Sequence, residues 1–361
     1  MCPLSIERWD LRMQNAADAL TTPRKSAEST YGADPSGFIC GFAFAPDEEA
    51  LPVNSSAALA WLNATQNAPS QAFLWLHFNL SQANAQKWLR DHLSLPEHFF
   101  EALRDAQGSM HVEQVDDHLL AVINDVAFEF AYDVAQIATL WMCVGHNLVV
   151  SARSHPLRSV DRLRVAVKAG ERFPSPVALL AHLLRDQAEV LEQIARDVTG
   201  QVDQIEDSLL AGRSNAKRSS LGALRRLLVR LRRLLAPEPG ALFRLLSRPP
   251  TWFEDDDSQE LRNATEEFSA VLADIGILQE RTKLLQEEIA AHVTEQTNRS
   301  VFLLTMVTVL ALPINLTSGL FGMNVGGVPF NQDPQGFLIV AAVLAVFTGV
   351  AGWFAFFKQR D

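Results

Sequence analysis

Residues 301–321 read VFLLTMVTVLALPINLTSGLF and residues 336–357 read GFLIVAAVLAVFTGVAGWFAFF, and neither stretch contains Asp, Glu, Lys, Arg or His. Roughly 20 helical residues cross the hydrocarbon core of a bilayer, which is about 30 Å thick. Both stretches reach this length, and the segment between them is short enough for only a tight turn. The sequence therefore predicts two transmembrane helices in a hairpin, at 300–324 and 336–357, with an external loop at 325–335.

The charges beside the two stretches predict their orientation. Arg299 precedes the first stretch, Lys358 and Arg360 follow the second, and the loop between them has no basic residue. Because basic residues are enriched on the cytoplasmic side, we expect both termini in the cytoplasm, including a short tail at 358–361.

Residues 1–299 have the composition of a soluble, acidic protein. The chain of 361 residues has a formal charge of -11, and the charged residues after position 299 cancel. Such a domain is expected to attract cations rather than nucleic acid or anionic lipid. Three scattered cysteines suit a reducing compartment, and Glu7, Arg8 and Asp10 interrupt the apolar run that a secretory signal needs. We therefore expect this part in the cytoplasm.

Residues 1–172 are predicted to form an α+β domain. Short segments rich in Val, Ile, Phe and Trp alternate with helical stretches, and Gly, Pro, Asn or Asp bounds them. The predicted strands are 38–44, 72–80, 110–115, 118–124, 137–144 and 147–151, and the clearest predicted helices are 55–65 and 84–92.

Long helices are predicted from residue 173 onward. Pro176 suits the first turn of a helix that carries many acidic residues as far as residue 210, and the next predicted helix, 216–236, carries six arginines. We interpret 173–250 as an antiparallel helical hairpin whose opposite charges attract. A basic helix that binds a membrane surface or nucleic acid is the alternative, but the arginines lack interspersed aromatic residues.

A stalk helix is predicted over 251–299. Apolar residues recur there at spacings of three and four, as in a coiled-coil seam, and no proline interrupts the segment before Pro313. The helix is therefore expected to continue into the first transmembrane stretch. The acidic residues at its start complement the helix dipole. These are Glu254, Asp255, Asp256 and Asp257.

The same spacing, continued into the apolar stretch, gives a face that is more polar than the rest of that helix. Polar side chains inside a bilayer face a cavity or bond to another helix, and these residues are compatible with both. Two helices cannot enclose a path, so a pore would need several subunits. The predicted pore-lining face consists of Asn298, Val301, Leu304, Thr305, Thr308, Leu312, Asn315 and Gly319, with Leu304 or Leu312 as a hydrophobic gate.

The end of the first stretch, ALPINLTSGLFGMN at 311–324, resembles the corresponding segment of the CorA family of divalent-cation transporters, whose signature is Gly-Met-Asn. The soluble acidic domain and the stalk extend the likeness over the whole chain. The loop VGGVPF at 325–330 is most similar to the zinc-transporting ZntB branch. The resemblance implies a homopentameric funnel in a bacterial-type inner membrane, with five first helices around the pore and five second helices outside.

The resemblance also implies the site that selects ions. Gly322, Met323 and Asn324 would stand at the outer mouth, where Asn324 amides and the Gly322 carbonyl bond to the hydration shell of the ion and Met323 packs behind them. It further implies that Glu254 to Asp257 sense cations, which competes with their simpler role at a helix end.

The metal is inferred from the resemblance rather than from the pore residues. Zinc sites usually contain His or Cys, and neither occurs at 300–357, so cobalt, nickel or cadmium would suit the pore equally. His292, shortly before the pore-lining face, is the histidine that we single out as a metal contact. We expect zinc transport without a resident cofactor, and a magnesium or cobalt channel of the same architecture is the alternative.

Two other functions are weighed against transport. A two-span sensor or scaffold would conduct no ions, and an enzyme is not expected because we find no phosphate-binding loop, metal-ligand spacing or nucleophile–base pair. Proton coupling stays open. No side chain within the spans has a suitable pKa, so a relay would have to use Asp333 or the cytoplasmic domain.

Overall fold

The computed structural model describes residues 33–46, 48–65, 72–105, 110–128, 136–211, 218–323 and 334–357. Residue contacts divide the chain into two units, Met1–Lys283 and Leu284–Asp361.

A seven-stranded mixed sheet organises the first unit. Its strands are β1 (Phe38–Phe44), β2 (Leu51–Val53), β3 (Phe73–Asn79), β4 (His111–Val115), β5 (His118–Val126), β6 (Ile137–Val144) and β7 (Leu148–Arg153). They lie in the order β2-β1-β3-β7-β6-β5-β4. β3 and β7 pair in parallel, and the other neighbours pair antiparallel.

Helices cover both faces of this sheet. β3 is therefore buried at every position and reads FLWLHFN, the nearly continuous apolar run of a strand without a wet face. One core holds Leu89 and Phe99 from helices α2 (Ala85–His92) and α3 (Glu97–Arg104), with Ala58 from α1 (Ser55–Thr65). The other core holds residues from α4 (Arg158–Lys168), α5 (Pro176–Leu210), α7 (Pro237–Leu246) and α8 (Asp255–Phe321).

The helical segment at 173–250 contains three helices rather than the two of the predicted hairpin. Ser175 caps α5 by accepting a hydrogen bond from the Ala178 N–H at 2.9 Å, and Pro176 occupies its first turn. α6 (Arg218–Leu235) follows, and α7 begins after Ala236 alone. The ion pairs seen between α5 and other helices go to α4 and α8, while buried leucines pack α6.

α5 and α8 run side by side in the same direction within the first unit. Arg185 binds Glu260 at 2.9 Å, and further along Arg281 binds Asp203 at 2.7 Å and Glu206 at 2.5 Å. The predicted seam of α8 is buried from Phe268 to Ile289. Its one polar member there, Thr282, donates its hydroxyl hydrogen to the Leu278 carbonyl at 2.7 Å, which explains how it tolerates burial.

α8 is a single helix of 67 residues, and α9 (Gly336–Phe357) has 22 residues. The unbroken stalk expected from the sequence is thus confirmed, including its passage through Pro313. Both α8 and α9 contain a segment that is long and apolar enough to cross a membrane by length and composition. Their large apolar side chains are exposed in the single chain, which a water-soluble surface would not tolerate over such lengths.

Candidate functional site

Every residue of the predicted pore-lining face lies on α8 and is exposed in the single chain. At position 319, a Cβ atom would meet nothing within 4 Å, so this end of the face has open space in front of it. The face consists of Asn298, Val301, Leu304, Thr305, Thr308, Leu312, Asn315 and Gly319.

The hydroxyl oxygens of the two threonines on this face can accept hydrogen bonds from other molecules. Thr305 Oγ1 donates to the Val301 carbonyl at 2.8 Å, and Thr308 Oγ1 donates to the Leu304 carbonyl at 2.9 Å. A hydroxyl has one hydrogen, which the helix backbone takes here, and its lone pairs stay available. Each threonine therefore presents an oxygen acceptor, which suits water molecules bound to a cation because their hydrogens point outward.

Asn315 adds a polar group further along the same face. Its side chain makes no hydrogen bond within the part of the chain that the structure describes, and it stands two turns from Thr308, about 10 Å along the axis. Between them, Pro313 has no N–H to offer the Val309 carbonyl. The segment thus contains acceptor oxygens on both its side chains and its backbone.

α8 ends at Phe321, directly before the Gly-Met-Asn sequence. The Gly322 N–H donates to the Ser318 carbonyl at 3.0 Å, and a Cβ on residue 322 would stand 3.1 Å from that oxygen. Glycine therefore permits a close backbone approach here. The Met323 side chain is 54% exposed in the single chain, and its packing in an assembly stays a prediction. Asn324 lies outside the described residues.

The acidic residues at the start of α8 have unequal roles. Asp257 is buried and accepts hydrogen bonds from the Ser175 hydroxyl and, at 3.4 Å, from the Glu254 N–H. This is the carboxylate half of a capping box, joined to the cap of α5. Glu254, Asp255 and Asp256 are exposed, and Glu254 and Asp256 line an open pocket of about 380 Å³.

Within the described residues of one chain, the side chains do not cluster into a metal centre. Among the residues that the structure describes, no group of three or more His, Cys, Asp or Glu could hold a metal ion. Neither the acids at the start of α8 nor His292, which is exposed, belongs to such a group.

The histidine with the most elaborate surroundings is one that the sequence did not single out. His77 is buried, and its Nε2 accepts from Arg153 Nε at 3.0 Å, so its Nδ1 carries the hydrogen and donates to Ser151 Oγ at 2.8 Å. Trp75 Nε1 donates to the same oxygen at 2.8 Å. Burial, reinforced by Arg153, holds the pKa of His77 well below its usual range. This neutral histidine joins β3 to β7.

These features define a class of protein: a membrane protein with a large α/β domain and two C-terminal spans, the first of which carries a polar face. The profile described as "CorA-like Mg2+ transporter protein" matches residues 70–359. This covers well over half of the chain, which therefore belongs to the CorA-like transporter family.

Individual relatives agree with this assignment. The chain is 29% identical over 294 residues to the divalent cation transporter CmaX of Pseudomonas aeruginosa, a match that covers 80% of this chain and 87% of that protein. It is 26% identical over 280 residues to the zinc transport protein ZntB of Yersinia enterocolitica, which covers 77% and 85% respectively.

Solved structures confirm the predicted fold class, a mixed α/β domain followed by a long helix and a second apolar helix. The structure of full-length CmaX matches with a TM-score of 0.76 at 25% identity, and covers 92% of this chain and 100% of that one. The CorA magnesium transporter from Methanocaldococcus jannaschii matches with a TM-score of 0.71 at 19% identity, over 88% and 97%. The resemblance stated from the Gly-Met-Asn segment is confirmed with them.

Proposed function

We propose that the chain is one subunit of a homopentameric pore that carries divalent metal cations, zinc foremost, across a bacterial inner membrane. The observation that carries this proposal is the face of hydroxyl and amide oxygens on an apolar, membrane-length part of α8, in a member of a transporter family. Both termini would lie in the cytoplasm, as the flanking basic residues indicate.

The acceptor oxygens on α8 suit a cation that crosses the membrane with its hydration shell in place. Small dications lose their hydration shell reluctantly, and a shell held by Thr305, Thr308 and Asn315 need not be removed. Asn324 amides would add a ring at the outer mouth, with the Gly322 carbonyl nearby and Met323 behind. Selection would then depend on the size and charge of the hydrated ion.

The apolar members of the face would control passage. Leu304 and Leu312 alternate with the polar positions, and rings of leucine side chains can close a pore by excluding water. Val301 and Asn298 would continue the path toward the cytoplasm, and Gly319 would leave it wide near the outer mouth.

Several copies are needed because each chain supplies two spans. We place five α8 helices around an axis and five α9 helices outside them, in contact with lipid. The sequence of α9 supports this order, because Thr348 is its one polar residue and Gly349 and Gly352 allow close packing.

The choice of zinc is supported by the ZntB relative, and a magnesium pore is favoured by the description of the family profile. The spans contain no His or Cys, so zinc would cross as a hydrated ion rather than through tetrahedral sites. On the cytoplasmic side, the exposed Glu254, Asp255 and Asp256 would sense the cation, while the buried Asp257 would keep its structural role as a helix cap. His292 would be a minor contact.

Flux into liposomes tests this function. Purified protein is reconstituted, and the uptake of zinc is compared with that of magnesium and cobalt, with and without a pH gradient. We expect zinc uptake, and faster uptake with an inward proton gradient if protons are coupled. Magnesium or cobalt uptake in its place would assign the second candidate.

Two variants separate a pore from a sensor or scaffold. Asn324→Ala should abolish uptake or make it unselective, whereas Thr348→Ala on α9 should leave it unchanged. Protein that reconstitutes normally but carries none of the three metals would contradict the pore and favour the scaffold.

A further inference from the structure

Besides the capping Asp257, three carboxyl groups with little or no exposure lie in the first unit, far along the sequence from the predicted pore. Asp125 on β5 is 2% exposed, Glu238 on α7 is 0% exposed, and the side chain of Asp186 on α5 is 12% exposed. Buried acids are rare because an ionised carboxylate loses its hydration. Each of these carboxyl groups therefore needs either hydrogen-bond donors or a proton.

Asp125 has partners that suit a carboxylate. Its two oxygens accept hydrogen bonds from the Val126 N–H at 2.6 Å and from the Ser159 N–H at 3.2 Å, so it fixes the first turn of α4 to the sheet. Burial nevertheless raises its pKa to about 6.

Glu238 has no such partners. By geometry, neither of its carboxyl oxygens has a hydrogen-bond partner, and the Oε1 of Gln187, whose side chain acts on the pKa of Glu238, has none either. The Gln187 amide cannot be reversed to help, because its Nε2 donates to the Asn124 carbonyl at 2.6 Å and a carbonyl only accepts. The Gln187 Nε2 can therefore direct only its second hydrogen toward Glu238, which leaves the two carboxylate oxygens and the Gln187 Oε1 as acceptors short of donors.

A proton on Glu238 would remove the charge of this carboxyl group and supply a missing hydrogen-bond donor, whereas a metal ion would need further ligands. Protonated Glu238 is neutral and carries an O–H donor, the group that the Gln187 Oε1 lacks. A metal would need several converging ligands, and the described part of the chain contains no group of three His, Cys, Asp or Glu able to hold one.

We propose that Glu238 is a proton-binding site that fastens α7 to the rest of the first unit, so that rising pH loosens α7. α7 packs on β4 and α6 and shares a core with α5 and α8, so its attachment affects the connection that leads into α8.

The surroundings support this direction. Burial first, and then the nearby Asp125, raise the pKa of Glu238 well above its usual range, against a smaller opposite effect of the Gln187 side chain. Burial likewise raises the pKa of Asp186 to about 7. The elements that contact α7, share its core or carry Asp125 also bear charged groups, which include Asp125 on β5, His111 and Glu113 on β4, Asp186 on α5, Arg158 on α4, Arg233 on α6 and Glu260 on α8. Of these, Asp125 acts on Glu238 directly.

The sign of the effect follows from proton linkage. The folded state binds the Glu238 proton more tightly than the opened state, so attachment is complete below the opened-state pKa and weakens as pH rises toward the folded-state pKa. One proton changes the opening equilibrium by at most about tenfold per pH unit.

Hydrogen exchange of the full chain in detergent measures this opening. After correction for intrinsic exchange, protection of α7 amides should fall with pH in the wild type, and in Glu238→Gln the slope should be shallower by about one decade per pH unit. Glu267→Gln changes an exposed acid on α8 and should keep the wild-type slope. Equal slopes in the wild type and Glu238→Gln would overturn the proposal.

Infrared spectroscopy of the wild type provides a second measurement that needs no folded variant. At about pH 8, above the pKa values given for Asp125 and Asp186, a band of a protonated, buried carboxyl group should persist. Its absence would show that Glu238 is ionised and would also overturn the proposal.

Discussion

At the scale of single residues, Gly322 shows how a missing side chain shapes the end of a helix. A Cβ at this position would stand 3.1 Å from the Ser318 carbonyl oxygen, closer than ordinary van der Waals contact. The backbone must therefore shift if a side chain is added. Since Asn324 follows two residues later, such a shift would reach the proposed selecting site.

Gly322→Ala should consequently reduce divalent-cation uptake, with a local cost of about 1 kcal/mol from overpacking. The matched control is Gly200→Ala on α5, an exposed position where a Cβ meets nothing within 4 Å. Liposome uptake and thermal unfolding of both variants provide the measurement. Similar uptake by the two variants would show that the approach at Gly322 is unimportant.

Ser151 is a second residue whose role depends on one atom. Its Oγ accepts from Trp75 Nε1 and from His77 Nδ1, both at 2.8 Å, within the buried layer between β3 and β7. Ser151→Ala would leave two buried donors without an acceptor, so we expect a loss of about 2–4 kcal/mol in the free energy of unfolding.

Chemical denaturation of the full chain in detergent measures this loss. Ser81→Ala is the control, because the exposed Ser81 hydroxyl donates only to the Ser154 carbonyl and its removal should cost less than about 0.5 kcal/mol. If both variants unfold alike, the hydrogen-bond network of His77 is not a stabilising one.

At the scale of elements, the start of α8 combines a structural cap with exposed acids. Asp257 binds the Ser175 hydroxyl and the Glu254 N–H, so it joins the first turns of α5 and α8. Asp257→Ala should therefore destabilise the first unit by about 1–2 kcal/mol, the usual cost of a lost cap.

The exposed acids of the same turn provide the contrast. Replacing Asp255 and Asp256 with Asn should leave the thermal unfolding midpoint nearly unchanged, and if these acids sense cations it should alter how cytoplasmic-side zinc affects uptake. A large loss of stability in this double variant would contradict the division of roles. Equal uptake at all zinc concentrations in the double variant and the wild type would remove the sensing role.

Periodicity and composition predicted most of the elements. The helix at 55–65 and the strands at 38–44 and 137–144 have the predicted bounds, and α8 is continuous as expected. The strand predicted at 147–151 is observed at 148–153, and its last residue, Arg153, pairs with Asn79 of β3 and binds His77 through its guanidinium.

Other elements depend on tertiary context that a local pattern does not contain. α7 reads PEPGALFRLL, whose prolines and glycine are typical of a turn, yet Pro237 occupies a first helical turn and Leu242, Leu245 and Leu246 enter the core. Glu238 was missed for the same reason. Its burial is decided by where α7 packs, and an acid between two prolines gives no sign of it. The domain bounds and Asn324 stay predictions.

At the scale of the whole molecule, one part of the chain suits water and the other suits the hydrocarbon core of a bilayer. The acidic charge lies before residue 300, and the long apolar parts of α8 and α9 leave their side chains exposed in the single chain. A single chain therefore has too few partners for this surface, which lipid and further copies would cover. The polar face of α8 is the part that lipid would not cover well.

Cysteine cross-linking tests whether copies meet at that face. In a background with Cys2, Cys40 and Cys143 replaced, a cysteine introduced by Asn315→Cys should form disulfides between chains in membranes, because the proposed arrangement of five α8 helices around a narrow axis would bring the thiols together. Val343→Cys, at an exposed position on α9, should remain uncross-linked because the proposal places the α9 helices outside. Gel mobility under non-reducing conditions gives the readout. Cross-linking through Val343→Cys but not through Asn315→Cys would exchange the positions of the two helices and remove the basis for the pore.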